Sequence, residues 1–504
     1  MGIGTIGMYL GLVLQFFARL IIARYGLEAN YGIFSLALVV LNFAMVLSCL
    51  GLQDGSTRYI AFHRGKSAER EIGKTIASTF QISIITSIIA GLLLFVLADI
   101  IAINIFHSAE LSPVLRIFAI GLPFLTMINI MAAVFRGFNK MEPQALFQSI
   151  MLNASFLVLL IGMVMLNMVF QFFFYAYLAA ITLTFSFLLI YTLIKLPGLA
   201  VFKINMFDID ALKNLIVFSL PISVTAIVSI LIFNADTMIL GHFKSPDVVG
   251  LYNAAYPLAY FITVPLASFM LIYIPVIANL FAQGLTAEVK RSYIISTKWL
   301  VSLTLPLWLV MFLFPDAVLN VLFGEVYAYG PASDVLRILA SGFMIMNLLG
   351  LGSCIFLASG NSKLIMWAGI ISALLNISLC VTLIPIAGPV GAATASAISL
   401  AVLNLIISVR LYISTKIQPF SKNLLKPVIV SVVLALLFQF VIRQFITITW
   451  WILPLVFVFY FAIYGIIILL TRSFDAEDIA ILLNIEKSIG VNIEPIKKLL
   501  RKFI

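Results

Sequence analysis

Apolar blocks of about 20 residues recur along almost the whole 504-residue chain. This is the length that an α-helix needs to cross about 30 Å of hydrocarbon, and closed β-barrels have a different pattern of short alternating strands. The composition agrees, because 63% of the residues are hydrophobic and 10% are charged, whereas soluble domains have roughly half and a quarter. The sequence therefore predicts an all-α integral membrane protein.

The apolar blocks divide into fourteen predicted transmembrane helices. Their ranges are 3–23, 31–53, 75–98, 113–135, 144–166, 170–194, 214–241, 249–277, 294–315, 331–358, 364–385, 389–413, 426–446 and 449–471. Long connecting loops are scarce, so no separate soluble domain is expected before residue 472.

Lysine and arginine set the predicted orientation, because cytoplasmic loops carry an excess of these residues. By this assignment 24 of the 30 basic residues belong to the even-numbered loops, the helix ends beside them and the tail. We therefore expect a multi-pass protein of the cytoplasmic membrane with both termini in the cytoplasm. The net charge of +10 is then a topology signal. Nucleic-acid binding is not expected, since no basic cluster coincides with a soluble fold.

Two short matches indicate an internal repeat. VLRIFAIG at 114–121 matches VLRILASG at 335–342 in six of eight positions, and a fainter match aligns Gly32 with Gly250. The matches indicate that helices 1–6 and 7–12 are two copies of one six-helix unit. Because each unit has an even number of spans, both copies have the same orientation in the membrane. This is the parallel-repeat arrangement of many transporters around a central cavity. Chance similarity of two apolar segments is the alternative. The expected organisation is a six-helix bundle at 1–195, a second at 196–413, two further helices at 414–471 and a cytoplasmic amphipathic tail at 472–504.

Several segments, taken in their order and spacing, resemble one group of membrane proteins. They are YGIFSLAL, LGLQDGSTRYIA, FSLPIS, NADTMILG and VGLYNAAYPLA. Together with the helix count they resemble the polysaccharide flippases, the O-antigen and exopolysaccharide repeat-unit exporters of the multidrug/oligosaccharidyl-lipid/polysaccharide superfamily. The resemblance covers nearly the whole chain. It implies movement of an isoprenoid-diphosphate-linked oligosaccharide from the cytoplasmic to the outer leaflet for cell-surface polysaccharide biosynthesis.

The chain is also similar, more weakly, to the lipid II flippases. In that family arginines near the end of helix 1 line a central cavity. The segment FARLIIARYG carries Arg19 and Arg24 with similar spacing. The resemblance makes both arginines candidates for lining such a cavity. Residues five apart lie about 140° apart around a helix, so the two cannot both face one point, and Arg24 is expected near the outer interface.

Arginines in or beside the spans are the candidates for binding a diphosphate. A guanidinium group stays charged and meets phosphate oxygens bidentately, and charges inside spans are costly enough to be functional candidates. The candidates are Arg19, Arg24, Arg58, Arg116 and Arg337. Snorkelling to headgroups or water is the structural alternative, and Arg58 has a further one as an ordinary cytoplasmic charge.

Helix 8 carries a narrow aromatic stripe. Tyr252, Tyr256 and Tyr260 follow one another at spacings of four, with Asn253 beside them, so they share one helix face. Such rings can stack on sugar faces while their hydroxyl groups form hydrogen bonds. Packing within the protein, or an interfacial aromatic belt, is the alternative interpretation.

Asp236 is an acid within a predicted span. The offset that aligns Gly32 with Gly250 also aligns Asp236 with Ala18, the neighbour of Arg19. We therefore expect the charges of Asp236 and Arg19 at a similar depth in helices 7 and 1. We expect an outer gate in which Arg19 and Asp236 neutralise each other until a diphosphate arrives and frees Asp236 for a proton or sodium ion. The alternatives are a fixed structural ion pair and an acid that is hydrogen-bonded within its own half of the protein.

Enzyme activity is not expected. The chain lacks a nucleotide-binding loop and paired metal ligands, and its three histidines, at 63, 107 and 242, fall in separate loops. No cofactor, metal or catalytic residue is therefore expected. The cysteines at 49, 354 and 380 all lie in spans and indicate no disulfide framework.

The second functional hypothesis is a cation-coupled antiporter of the multidrug and toxic compound extrusion type. Such an antiporter needs acids in the membrane. Here the two acids Asp236 and Asp54 are outnumbered by arginines in or beside the spans, which favours an anionic substrate.

The expected partners are the lipid-linked oligosaccharide and membrane lipids. The basic segment KKLLRKF in the tail is expected to lie on the inner membrane surface, and docking of a polysaccharide polymerase or glycosyltransferase is the alternative.

Overall fold

A computed structural model describes residues 2–196, 209–328, 330–420, 422–445 and 452–470. Every regular element in these ranges is helical, so the predicted all-α class is confirmed. The helices are α1 (Gly2–Cys49), α2 (Leu52–Gly65), α3 (Glu69–Asp99), α4 (Leu111–Gly137), α5 (Leu152–Met165), α6 (Gln171–Lys195), α7 (Ile209–Phe243), α8 (Pro246–Tyr260), α9 (Val264–Ala282), α10 (Thr286–Leu313), α11 (Pro315–Phe323), α12 (Glu325–Ala328), α13 (Pro331–Leu349), α14 (Leu351–Ala358), α15 (Ser362–Thr415), α16 (Lys422–Phe445) and α17 (Ile452–Leu470). Two π-helical segments, Ile100–Ile105 and Gln144–Met151, extend α3 and precede α5.

The two longest helices, α1 and α15, each contain a backbone break. α1 has 48 residues and a non-helical Leu27, with φ 59° and ψ 180°, and α15 has 54 residues and a non-helical Gly388, with φ 55° and ψ −131°. As straight rods they would measure about 72 and 81 Å, more than twice the hydrocarbon thickness. The breaks fall in the predicted loops between helices 1 and 2 and between helices 11 and 12.

Ten helical stretches in the described part of the chain are long and apolar enough to cross a membrane. The helix α7 is an eleventh if its segments Leu212–Val228 and Phe233–Phe243, bent by 58°, count as one span. Two of the ten stretches contain the breaks at Leu27 and Gly388 and measure 59 and 53 residues, enough for two crossings each. The count of fourteen and the orientation of the termini stay predictions. The predicted tail at 472–504 lies outside the described residues.

The contacts divide the chain into two compact units, Met1–Gly250 and Leu251–Ile504. In the first unit α7 packs closely on α1 and α2. A Cβ atom on Gly51 would lie 2.2 Å from the carbonyl oxygen of Ser219, and one on Gly55 would lie 2.1 Å from its Oγ, so larger residues would push the helices apart. The predicted boundary between residues 195 and 196 followed the sequence repeat and stays a prediction.

Buried polar side chains in each unit pair with one another. In the first unit the hydroxyl groups of Ser48 and Thr126 lie 2.7 Å apart. In the second unit Asn376 donates hydrogen bonds of 3.2 Å to the hydroxyl groups of Ser396 and Ser399. Small and polar residues are the usual contacts between transmembrane helices, because they permit close approach and interhelical hydrogen bonds.

Candidate functional site

Arg19 lies in the first segment of α1 with its guanidinium group turned to protein rather than to the surroundings. It is half-buried and hydrogen-bonds the side chain of Tyr31, which is fully buried. Tyr177 of α6 lies close enough for an electrostatic interaction with the Arg19 charge. The bundle therefore supplies this cation with a defined hydrogen-bond acceptor, as a charge in an apolar interior requires.

An aromatic cluster continues from Tyr177 into the first unit. The ring centroid of Tyr177 lies 5.3 Å from that of Phe118 and 5.0 Å from that of Phe156. Phe34 packs against Tyr177 at 6.0 Å and against Phe174 at 6.4 Å. Tyr177 therefore connects the surroundings of Arg19 with a cluster of aromatic rings.

Arg24 and Arg58 have other surroundings. Arg24 is exposed, five residues along α1 from Arg19. Arg58 in α2 is exposed and places its guanidinium carbon 4.1 Å from the ring centroid of Phe218, a favourable cation–π distance. The described contacts of Arg19 and Arg58 thus involve different residues, and the role of each as a candidate for binding the diphosphate stays a prediction.

The duplicated arginines Arg116 and Arg337 each pair with an acid of the same unit. Arg116 Nη2 lies 2.6 Å from Asp99 Oδ2, and Ser112 donates a hydrogen bond to the same carboxylate. Arg337 Nη1 lies 2.8 Å from Asp334 Oδ1, and its Nε donates to the carbonyl of Phe312 at 3.2 Å. These contacts and the partial exposure of both arginines favour the structural interpretation of the repeat.

The tyrosine stripe on α8 is a packed stack in the second unit. The rings of Tyr252 and Tyr256 are 6.0 Å apart, and those of Tyr256 and Tyr260 are stacked at 6.3 Å. Phe343 of α13 packs edge-on against the last two rings, at 5.9 and 5.7 Å. Tyr252 and Asn253 are buried, whereas 39% of Tyr260 is exposed. Tyr260 is therefore the ring of the stripe best placed to meet a ligand.

Asp236 is buried in α7, where its Oδ1 accepts a hydrogen bond of 2.9 Å from the backbone N–H of Thr237. The described partners of Arg19 are Tyr31 and Tyr177. The predicted gate between Arg19 and Asp236 stays a prediction, and normal export by an Asp236→Asn variant would exclude it.

Lys298 is a charged residue near the start of the predicted span 294–315. The structure places it inside α10, 97% buried and one turn before Ser302. The carbonyl of Ser302 accepts a hydrogen bond of 2.9 Å from Tyr464 of α17. Ser296, Thr297 and Lys298 therefore form a buried polar run in α10, which the sequence analysis did not single out as a candidate site.

An apolar crevice lies in the second unit where α10, α16 and α17 meet. It is a shallow, partly open groove whose enclosed volume is about 20 Å³, roughly the space of one water molecule. It is lined by Leu309, Val310, Phe314, Ala435, Phe438, Val456, Phe457 and Tyr460. No pattern in the sequence predicts this crevice, because α10 is far in sequence from the consecutive helices α16 and α17 that form its other walls.

Comparison with known proteins assigns the family. The model of the family described as "Polysaccharide biosynthesis protein" matches residues 2–281, more than half of the chain. The chain belongs to this family. The MatE family model also matches, over residues 221–382. No curated protein sequence matches the chain significantly.

Solved structures similar to the chain are membrane transporters. An inward closed conformation of the lipid II flippase MurJ superposes with a TM-score of 0.70 at 16% identity, covering 93% of this chain and 98% of that one. An inward-facing MATE family transporter of the MOP superfamily gives 0.67 at 16% identity, covering 80% and 94%. A MOP superfamily transporter from Pyrococcus furiosus, described by the reverse polarity of its binding pocket, gives 0.54 at 16% identity, covering 82% and 93%. At this identity the likeness establishes the fold.

Proposed function

We propose that this protein is a flippase that moves an isoprenoid-diphosphate-linked oligosaccharide from the cytoplasmic to the outer leaflet for cell-surface polysaccharide biosynthesis. The observation that carries the proposal is Arg19, a permanent cation held by Tyr31 against an aromatic cluster within a membrane-spanning bundle. A charge within a membrane span costs free energy, so a charge that is retained there is a candidate for a functional role. A guanidinium fork matches the oxygens of a phosphate group bidentately, and a diphosphate offers two such groups.

The apolar crevice is the candidate binding surface for the isoprenoid chain of this substrate. All of its lining residues are apolar or aromatic, and an isoprenoid chain has no polar group that needs a partner. The headgroup would enter from the cytoplasmic side while the tail remains in lipid or in the crevice. Tyr260, exposed at the end of its stack, is our candidate for contacting a sugar ring.

Alternating access is the expected transport mechanism, since parallel-repeat transporters rock their two halves around a site near the bilayer centre. An inside-negative membrane potential favours outward movement of a dianion, by about 2.3 kcal/mol per charge per 100 mV. Asp236, buried in α7, is the candidate for coupling to a proton or sodium ion. A polysaccharide polymerase or glycosyltransferase that receives or supplies the substrate is a candidate partner.

The second candidate function is a cation-coupled multidrug antiporter. It is favoured by the MatE model match and by the fold shared with MATE transporters. Asp236 is the buried acid that such a mechanism would use. Arg19, whose described partners are the tyrosines Tyr31 and Tyr177, favours an anionic substrate over a cationic drug.

Ligand-dependent thermal unfolding of the purified protein in detergent distinguishes the two functions. Undecaprenyl diphosphate is expected to raise the unfolding temperature of the wild type, because a ligand that binds only the folded state stabilises it. The shift should disappear in Arg19→Gln and persist in Arg116→Gln, whose arginine pairs with Asp99. Stabilisation by a cationic dye such as ethidium, without an effect of the diphosphate lipid, would overturn the flippase proposal.

A further inference from the structure

Two of the three histidines of the chain, which the sequence analysis assigned to separate loops, lie side by side. His107 follows the π-helical segment Ile100–Ile105, and His242 belongs to the last turn of α7. Their ring centroids are 5.3 Å apart and both side chains are exposed. Both residues belong to the first compact unit, and the third histidine, His63, lies in α2 and stacks on Tyr59.

A backbone hydrogen bond fixes the tautomer of His242. Its Nδ1 lies 2.6 Å from the carbonyl oxygen of Ile105. A carbonyl oxygen only accepts, so Nδ1 carries the proton and donates it, which leaves the lone pair of Nε2 available in the neutral ring. A histidine whose other nitrogen donates to a carbonyl is the usual arrangement of a metal ligand, because that hydrogen bond orients the ring and raises its basicity.

The distance between the rings fits a shared metal ion. With a Zn–N bond of about 2.1 Å and a ring nitrogen about 1.1 Å from its centroid, the ion lies about 3.2 Å from each centroid. A tetrahedral angle at the ion then separates the two centroids by about 5.2 Å. The observed 5.3 Å agrees with this value, whereas a linear arrangement would require about 6.4 Å.

We propose that His107 and His242 form a binding site for one divalent transition-metal ion of the Zn²⁺ class. The described residues contain no group of three or more His, Cys, Asp or Glu side chains that would hold a metal, so water molecules complete the coordination. Imidazole ligands suit zinc, copper and nickel better than the hard cations magnesium and calcium, which prefer oxygen. This site does not depend on the proposed transport function.

The bound ion would add a link at a place where the end of α7 already packs closely on neighbouring elements. A Cβ atom on Gly241 would lie 2.4 Å from Leu36 Cδ2 and 3.0 Å from Phe106 Cδ1, so the end of α7 packs tightly against α1 and the residue before His107. A metal bridge adds a bond between α7 and the connection from α3 to α4. The ion is therefore expected to stabilise this corner of the first unit and to resist movement of α7 away from it.

Metal titration of the purified full-length protein, prepared without a polyhistidine tag, tests the site. Isothermal titration with Zn²⁺, and the visible absorption of Co²⁺ in its place, should show one saturable site per chain in the wild type. His63→Ala is the matched control and should bind as the wild type does. His107→Ala and His242→Ala should each weaken binding at least tenfold. Equal binding by the wild type and the two site variants, or no saturable binding by the wild type, would overturn the proposal.

Thermal unfolding supplies a second measurement in case a site variant is destabilised. Without metal, the unfolding temperatures of His107→Gln and His63→Ala show whether both variants are folded. Added Zn²⁺ should raise the unfolding temperature of the wild type and of His63→Ala, because it binds the folded state. The same Zn²⁺ concentration should leave folded His107→Gln unchanged. An equal rise in all three proteins would place the metal elsewhere and exclude this site.

Discussion

At the residue scale, the environment of Arg19 shows how a cation is retained in an apolar bundle. Tyr31 is fully buried and hydrogen-bonded with Arg19, and Tyr177 connects this pair to the cluster around Phe34. A tyrosine hydroxyl group accepts a hydrogen bond without neutralising the charge, unlike a carboxylate. The guanidinium group is therefore oriented while its charge remains available to an anion.

Removing the Tyr31 hydroxyl group is expected to weaken anion binding without unfolding the protein. Tyr31→Phe leaves the ring in place and removes one hydrogen bond to a charged group, worth about 1.5–3 kcal/mol. Undecaprenyl-diphosphate affinity, measured by titration in detergent, should fall by about tenfold or more. Tyr175→Phe is the control, because Tyr175 lies on the same helix as Tyr177 and is 50% exposed. Equal affinities of the two variants would mean that Tyr31 does not orient the binding group.

The duplicated arginines should be dispensable for transport. Arg116 and Arg337 pair with Asp99 and Asp334 at partly exposed positions, and exposed ion pairs contribute little to stability. Arg116→Gln and Arg337→Gln are therefore expected to retain export in reconstituted vesicles. Loss of export in either correctly folded variant would contradict this prediction and would indicate that the replaced arginine contributes to substrate binding.

At the scale of elements, two glycines related by the sequence repeat lie at one close contact. A Cβ atom on Gly32 of α1 would lie 1.7 Å from the carbonyl oxygen of Pro246, and one on Gly250 of α8 would lie 1.9 Å from that of Glu28. Hydrogen is the only side chain that fits at either position. The match that aligned these two glycines in the sequence therefore also marks where the start of α8 packs on α1.

Gly32→Ala should force α1 and the start of α8 apart. Because the obstructing atoms belong to the backbone, the clash cannot be relieved by a side-chain rotation, and overpacking of this kind costs about 1–3 kcal/mol. Thermal unfolding in detergent should show a clear loss of stability. Gly162→Ala in α5 is the matched control, because nothing lies within 4 Å of its added Cβ atom and alanine favours a helix. Similar unfolding temperatures for both variants would contradict the close contact.

At the scale of the whole molecule, a lipid-linked substrate demands separate polar and apolar surfaces. The first unit holds Arg19 beside Tyr31, and the second holds the apolar crevice between α10, α16 and α17. The two C-terminal helices are additional to the predicted repeats, yet they provide five of the eight crevice residues. We infer that they serve the lipid tail of the substrate.

Filling the crevice should separate binding of the tail from binding of the headgroup. Ala435→Trp places a large ring among residues that line the cavity. Affinity for undecaprenyl diphosphate is expected to fall, whereas affinity for a short-chain isoprenoid diphosphate should remain. Leu437→Trp is the control, since Leu437 lies on the same helix and is 54% exposed. An equal loss of affinity for both lipids in Ala435→Trp alone would indicate general distortion of the binding site.

The sequence by itself determined the all-α fold class and the family resemblance, whereas the count of fourteen spans stays a prediction. Helix length and backbone hydrogen bonding in hydrocarbon are local requirements, so the breaks at Leu27 and Gly388 fell within predicted loops. Arg19 was also evident, because a charge within an apolar run is visible without knowing its neighbours.

Only the tertiary structure decided which side chains meet. The contact of Arg19 with Tyr31, the pairing of His107 with His242, and the burial of Lys298 depend on which helix faces pack together. In a membrane protein most faces are apolar, so hydrophobic periodicity distinguishes lipid-facing from buried positions poorly. Packing of small residues and interhelical hydrogen bonds selects the contacting faces instead. These interactions join residues far apart in the chain, and so the binding groups and the crevice emerge only once the helices are assembled.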